Sequence, residues 1–159
     1  MGNCGDFSHL SERSQVGGFL GSYLYQVDEK GRVTLPAAFR KGRDEFAPFV
    51  LIQVHDDALT LYPEENWLEV EVRLREHARR NPRARHFALG LTSNATVLTP
   101  DRQGRILIPE RLRERVGIKD EAQLVGALDK IEIWNPERFD ASVEGTGGEF
   151  GDMFAGIFA

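Results

Sequence analysis

The sequence predicts a mainly β fold with short helices (α+β). Two pseudo-symmetric copies of one unit share a core, and a helical insert lies between them. Three observations predict it. The stretch Asp28 to Arg40 reappears as Asp101 to Arg113, an offset of 73 residues, and self-similarity at a fixed offset marks a duplicated structural unit. Each copy holds short apolar, partly β-branched runs punctuated by Gly and Pro, the pattern of strands and turns. Between the copies runs a stretch with helical periodicity.

Each unit reads the same way from its first residue onward. An extended run, Ser22 to Val27 or Ala95 to Thr99, enters a polar turn containing Gly31 or Gly104; Gly tolerates positive φ and suits a tight reversal. Arg32-Val33-Thr34-Leu35 and Arg105-Ile106-Leu107-Ile108 follow as short strands, ended by Pro36 and Pro109. Pro cannot donate to a ladder but suits the first turn of a helix. Ala37 to Arg43 and Glu110 to Val116 therefore read as short helices, the second stopped by Gly117. Each unit closes with two apolar strands, Phe49 to Val54 with Ala58 to Tyr62, and Gln123 to Leu128 with Lys130 to Trp134. Asp56-Asp57 and Asp129 mark their turns. The last strand repeats with a one-residue slip: Leu59-Thr60-Leu61-Tyr62 echoes Ile131-Glu132-Ile133-Trp134.

The insert opens at Pro63-Glu64-Glu65, with acids where a helix dipole favours them. Trp67, Val70, Leu74 and Ala78 form an amphipathic stripe, and Asn81-Pro82 restarts a second helix whose inner face is Ala84, Phe87, Ala88 and Leu91. Spacing alone assigns both stripes to core packing. The expected organisation is an extension over 1–18, repeats over 19–66 and 92–139, a connector over 67–91, and a Gly-rich acidic tail over 140–159. The tail's glycines disfavour helix, so disorder is expected there. Yet Phe150, Phe154, Ile157 and Phe158 recur at helical spacing, which would suit a short docking helix.

With 41% hydrophobic and 28% charged residues, the chain can bury a core and is not a disordered polymer. No apolar run approaches the ~18 to 20 residues of a membrane span. The start carries no apolar secretory segment, and Asp6 departs from the acylation pattern that Met1-Gly2-Asn3-Cys4 would open. Cys4 is the single cysteine, so no internal disulfide forms, in keeping with a reducing cytosol. A net charge of -5 would discourage a phosphate-rich partner, but the two ends hold most of it. Residues 19–140 carry 19 bases and 20 acids. Twelve of those bases are arginines that fall in two groups, Arg73 to Arg85 and Arg102 to Arg115 with Arg138, while the N-terminal part mixes Lys and Arg.

Asp28-Glu29-Lys30-Gly31-Arg32 and Asp101-Arg102-Gln103-Gly104-Arg105 resemble the DxxxR element of MraZ proteins, bacterial transcription regulators with two SpoVT-AbrB domains. Phe19-Leu20-Gly21-Ser22-Tyr23 resembles that family's opening, and Leu124-Val125-Gly126 with Ile131 to Trp134 resembles its second repeat. The resemblance covers roughly residues 19–140. It departs at Leu20, where members often carry a base, and at residues 1–18, which precede the usual start. It implies a swapped-hairpin β fold and a ring-shaped homo-oligomer. It also implies binding of double-stranded DNA at direct repeats upstream of the division and cell-wall gene cluster, with repression the expected outcome, in the cytoplasm and at the nucleoid. No cofactor, metal, small-molecule substrate or membrane is expected.

The same resemblance places Arg32 and Arg105 on the DNA face. An Arg fork takes two acceptors at once, phosphate oxygens or guanine O6 and N7. Lys30, Arg40, Lys41 and Arg43 are the expected phosphate neighbours in the first unit, with Arg102, Arg111, Arg113 and Arg115 as counterparts. Asp28, Gly31, Pro36, Asp101, Gly104 and Pro109 would shape the turns. A duller reading pairs Asp28 with Arg32 and Asp101 with Arg105 simply to hold each hairpin, and one motif can serve both ends. The six bases from Arg73 to Arg85 read as a solvated or intersubunit helix surface, with Glu69, Glu71 and Glu76 at helical spacing.

Three rival functions compete with that reading. His9, His55, His77 and His86 show no metal-ligand spacing, and no nucleophile elbow, phosphate loop or dinucleotide fingerprint occurs, so an enzyme is not expected. A swapped-hairpin antitoxin would carry one unit and a long tail rather than two full units. A ring or interaction protein that ignores DNA is the third.

Overall fold

The computed structural model describes residues 18–145 and 150–158. The expectations for residues 1–17, including the extension and the acylation pattern, lie outside them. The first unit supplies β1 (Ser22–Gln26), β2 (Arg32–Thr34), α1 (Ala37–Arg40), β3 (Phe49–His55) and β4 (Ala58–Pro63). The helical hairpin α2 (Glu64–Arg80) and α3 (Pro82–Ser93) follows. The second unit repeats the order as β5 (Thr96–Leu98), β6 (Arg105–Leu107), α4 (Glu110–Arg115), β7 (Glu121–Gly126) and β8 (Ile131–Trp134). The chain then adds α5 (Pro136–Glu144) and α6 (Phe150–Phe158).

The fold is α+β, and its two units interleave. Six strands form one antiparallel sheet in the order β1-β7-β8-β4-β3-β5, while β2 pairs with β6. Each unit's opening strand therefore joins the other unit's closing hairpin: β1 lies beside β7, and β5 beside β3. The two hairpins meet along β4 and β8, where Leu59 faces Ile133 and Leu61 faces Ile131. Those pairings are reciprocal under an offset of 72 residues, whereas Val33 opposite Ile106 obeys 73. The slip has a local cause. A bulge between Gln53 and His55 interrupts the β3–β4 ladder, and a bulge adds one residue to one strand without moving the ladder beyond it.

A chain of this kind closes because neither unit can bury its own apolar face. Val33, Leu35, Phe39, Leu51, Leu59 and Leu61 of the first unit are buried in one cluster with Ile106, Ile108, Leu112, Leu124, Ile131 and Ile133 of the second. Interleaving thus makes one core of two half-cores, which a unit of about 45 residues could hardly build alone.

Four expectations change. Helix α1 ends at Arg40 rather than Arg43, because Lys41 turns extended and Gly42 takes φ 76°. Pro36 and Pro109 sit at the N-caps of α1 and α4, just before the first helical residue. The stripes of the insert are not core. Asn81 caps α3 as expected, its side chain accepting from the Arg83 N–H, but neither α2 nor α3 contains a buried residue. The two helices pack mainly on each other and only graze β3 and β4, so their apolar faces are half covered and Phe87 is exposed. Finally, the tail expected over 140–159 is not structureless where it is described: residues 140–144 belong to α5 and 150–158 form α6.

Candidate nucleic-acid interface

The strand pair β2–β6 sits over the core with alternating sides. Val33 and Ile106 point inward and are buried, which leaves Arg32, Thr34, Arg105 and Leu107 on the outward side. The register sets Arg32 opposite Leu107 and Arg105 opposite Thr34. Two arginines thus lie on one diagonal of a short ribbon, related by the pseudo-twofold axis through Val33 and Ile106.

Each arginine is launched from a turn built by the aspartate four residues earlier. Asp28 Oδ1 accepts from the backbone N–H of Lys30 at 2.9 Å and of Arg32 at 2.8 Å. Asp101 Oδ1 does the same for Gln103 and Arg105, both at 2.9 Å. Gly31 and Gly104 complete the reversals at φ 92° and 74°, a region costly for any residue with a Cβ. The spacing DxxGR is therefore the chemistry of one turn: acceptor, reversal, guanidinium.

The ion pairs differ between the copies. Arg105 Nε donates to Asp101 Oδ2 at 3.0 Å, whereas Arg32 Nη1 approaches Asp28 Oδ2 only at 3.8 Å. Asp28 Oδ2 also lies 3.9 Å from Arg105 Nη1, an approach between units that no sequence spacing announces. Both carboxyls are held below their ordinary value. For Asp28 the N–H of Arg32 is the main cause, opposed by partial desolvation and supported by the Lys30 N–H and the Arg32 and Arg105 charges. For Asp101 the Arg105 N–H leads, again against desolvation, with the Gln103 N–H and the Arg105 side chain adding to it.

A depressed carboxyl contributes stability that is complete above its unfolded value and lost as pH falls through the folded one. The turns are thus expected to stay closed at neutral pH and to weaken only below the ordinary aspartate value of 3.8. Asp28→Asn keeps an acceptor oxygen for the two N–H groups, while Asp28→Ala leaves them without it. The alanine variant should be the less stable of the two at pH 7, because the N–H groups of Lys30 and Arg32 both lose their acceptor. Urea denaturation at pH 7 and pH 3 checks both statements, since the wild-type advantage over Asp28→Asn should shrink in acid.

The remaining predicted residues divide by what they touch. Lys30, Lys41 and Arg102 are exposed, and their side chains make no ion pair among the described residues. Arg111 is exposed likewise, and Arg115 only reaches Gln53 Oε1 at 3.4 Å. Arg43 is committed elsewhere. Its Nη2 grips both carboxylate oxygens of Glu65 at 2.6 and 2.7 Å, and its guanidinium lies 5.3 Å from the Phe49 ring centre and 6.0 Å from that of Phe19. Burial pushes the Glu65 carboxyl up, but its own backbone N–H and the bonded Arg43 outweigh this and leave it lowered. Arg43→Ala should lower stability by about 1 kcal/mol or slightly more, combining an exposed-edge ion pair with two cation–π interactions. Thermal denaturation reads the change.

Arg40 and Arg113 have a role that sequence reasoning missed. Arg40 Nε donates to Leu35 O, and Arg113 Nε to Ile108 O, each at 3.0 Å. Each guanidinium then lies where a Cβ on the other unit's turn glycine would stand: Arg113 comes within 2.8 Å of that position at Gly31, and Arg40 at Gly104. The glycine carbonyls are held across the units as well, by Ile108 N at 2.9 Å and Leu35 N at 2.8 Å. Each turn is thus clamped by the helix of its pseudo-symmetric mate. The recurrence of Arg40 as Arg113 in the repeat was the available signal, but it could not tell a clamp from a phosphate ligand.

Comparison with known proteins agrees with this architecture. The family described as "MraZ protein, putative antitoxin-like" matches residues 19–89 and 91–146. A protein of Thermomicrobium roseum named transcriptional regulator MraZ is 39% identical over 126 residues, covering 79% of this chain and 87% of that one. Proteins of the same name from Desulforamulus reducens and Cutibacterium acnes are 37% and 32% identical, over 77% and 89% of this chain and 84% and 98% of theirs. These relatives are named as regulators rather than enzymes. A doubled Asp-to-Arg turn, two interleaved units and a match across nearly the whole described region lead to one assignment: the chain belongs to the MraZ family.

Proposed function

We propose that this transcriptional regulator acts by sequence-specific binding of double-stranded DNA, with Arg32 and Arg105 as its base- or phosphate-reading residues. The carrying observation is the outward diagonal of two turn-anchored arginines on the β2–β6 ribbon. A two-stranded ribbon fits the major groove, where arginine can bond guanine O6 and N7 together. Lys30 and Arg102, within the two turns, and Lys41, just past α1, are exposed with no ion pair among the described residues and supply the bonds to phosphate. Arg40 and Arg43, already engaged in the fold, are left out of the DNA-binding set.

The acidic balance of the chain makes one copy a weak binder. A ring-shaped homo-oligomer that presents the ribbon repeatedly to direct repeats, upstream of a division and cell-wall gene cluster, raises affinity through effective concentration. Repression follows if the bound ring covers the promoter, and the site of action is the cytoplasmic nucleoid. No helix among the described residues is long and apolar enough to cross a membrane.

The test is a gel shift on the DNA upstream of this gene across a salt series. Alanine at Lys30, Lys41 or Arg102 should lower affinity evenly across sequences and reduce the salt slope by about 1 for each phosphate that is no longer neutralised. Folded wild-type protein that shows no salt-sensitive binding would defeat the DNA reading. A verified monomer that keeps full affinity would defeat the assembly part of it.

A further inference from the structure

The β2–β6 ribbon is twofold in its backbone but not in its side chains. The repeat maps Arg32 onto Arg105 and Thr34 onto Leu107. Of these four residues, which make up the outward side, Leu107 is the one large apolar side chain, and it is 50% exposed. A lone exposed leucine carries little meaning by itself. Its place in the ladder gives it one.

Hydrogen bonds fix that place. Ile108 N donates to Gly31 O at 2.9 Å, and Leu35 N to Gly104 O at 2.8 Å. In the ribbon's register these bonds fall on the pairs 31–108 and 35–104, on either side of Val33–Ile106. Hydrogen-bonded and non-hydrogen-bonded pairs alternate along an antiparallel ladder. Arg32–Leu107 and Thr34–Arg105 are therefore the non-hydrogen-bonded pairs, whose side chains stand closest, with Cα atoms about 4.5 Å apart. Each turn arginine has one close companion on the outward side: leucine for Arg32, threonine for Arg105.

Two differences break the symmetry in one direction. Arg32 approaches Asp28 only at 3.8 Å, whereas Arg105 Nε donates to Asp101 at 3.0 Å. The end with the freer fork is also the end with the apolar companion. On base edges in the major groove, guanine O6 and N7 suit an arginine fork, and the thymine C5-methyl suits an apolar side chain. A threonine hydroxyl both donates and accepts, so it discriminates less. We infer that Leu107 is a specificity-determining residue: it reads the C5-methyl of a thymine beside the guanine that Arg32 reads, and the ribbon recognises its site in one orientation. A separation of about 4.5 Å lies between one and two base-pair steps of about 3.4 Å, which puts that thymine within about two base pairs of the guanine. This assignment rests on the DNA reading proposed above and adds to it a base contact that charge does not supply.

The test is a gel shift of the full chain on the upstream DNA, made either with thymine or with deoxyuridine, which lacks only the methyl. Wild type should bind the deoxyuridine DNA about four-fold more weakly for each contacted methyl, the worth of burying one methyl-sized group. Leu107→Ser should bind thymine DNA more weakly than wild type does and should lose the preference for thymine. Val97→Ser, which removes a still more exposed apolar side chain from β5, should keep it. Replacing thymines one at a time should locate the effect within about two base pairs of a guanine whose 7-deaza analogue weakens wild type but not Arg32→Ala. Circular dichroism verifies the folding of each variant. Folded wild type without salt-sensitive binding to either DNA would remove the DNA reading, and the role of Leu107 with it. Salt-sensitive binding that ignores the methyl, or a thymine preference that survives in Leu107→Ser, overturns the role of Leu107 alone. A methyl effect confined to thymines farther from that guanine does the same.

Discussion

Arg32→Ala is expected to weaken binding to the upstream DNA by about 5- to 150-fold, the effect of removing one bidentate hydrogen-bond pair worth about 1–3 kcal/mol at each engaged copy. The effect compounds wherever several copies of an assembly engage tandem sites. Arg105→Ala should cost less. Arg105 Nε is bonded to Asp101, and its Nη1 lies near Asp28, so part of its donor fork is already satisfied within the fold. Arg32 holds its partner only at 3.8 Å and keeps more donors for a ligand. Gel shifts on both variants, at one salt concentration and with folding verified, give the comparison. Equal affinity of Arg32→Ala and wild type would sink the site assignment while leaving the family assignment in place.

Phe39→Ala is expected to have the largest effect on stability, about 3–5 kcal/mol. Phe39 is 1% exposed, and its ring meets Phe19 at 5.6 Å and Tyr23 at 5.3 Å, both edge-on. Those two residues come from the N-terminal segment and β1, and β1 itself is held by the second unit's β7. The truncation therefore leaves a cavity where the two units interlock, and α1 with its single buried residue has nothing to close it. For a chain of this length, about 2–4 °C per kcal/mol converts the loss to roughly 6–20 °C in Tm. Leu112 holds the equivalent place in α4, and Leu112→Ala should cost about 2–5 kcal/mol. A Tm change of under about 3 °C for Phe39→Ala would mean that neighbouring side chains collapse into the space.

Much of the β architecture is readable because its signals are local. The turn DxxGR needs an acceptor, a residue at ease with positive φ and a strand start, all within a few consecutive positions, and both copies contain them. The alternation around Val33 and Ile106 likewise states which side of β2 and β6 is inward. Even the one-residue slip between the repeats is visible, although only the β3 bulge explains it. The helical hairpin departs from expectation for a physical reason. Periodicity identifies a side that prefers apolar neighbours, but it does not say how much surface is present to cover it. The hairpin meets little besides itself, so the stripe of Trp67, Val70, Leu74 and Ala78 ends half-buried. The tail departs differently: glycine content argued against helix more strongly than the spacing of four apolar residues argued for it, yet Phe150 to Phe158 is helical.

Arginines show most plainly where local reasoning stops. From sequence, Arg32, Arg40 and Arg43 are three bases beside one motif, equally ready to meet a phosphate. Folding separates them. Arg32 faces outward from the ribbon, Arg40 reaches across to Gly104 of the other unit, and Arg43 is taken up by Glu65, 22 residues on. Residue type, repeat and turn chemistry sufficed for the family, the doubled unit and the existence of a paired Asp–Arg turn, because each rests on interactions within a few residues. Which arginine keeps donors to spare was decided only when the units interleaved, because Gly104, Glu65 and Gly31, which meet Arg40, Arg43 and Arg113, are brought to them from far along the chain.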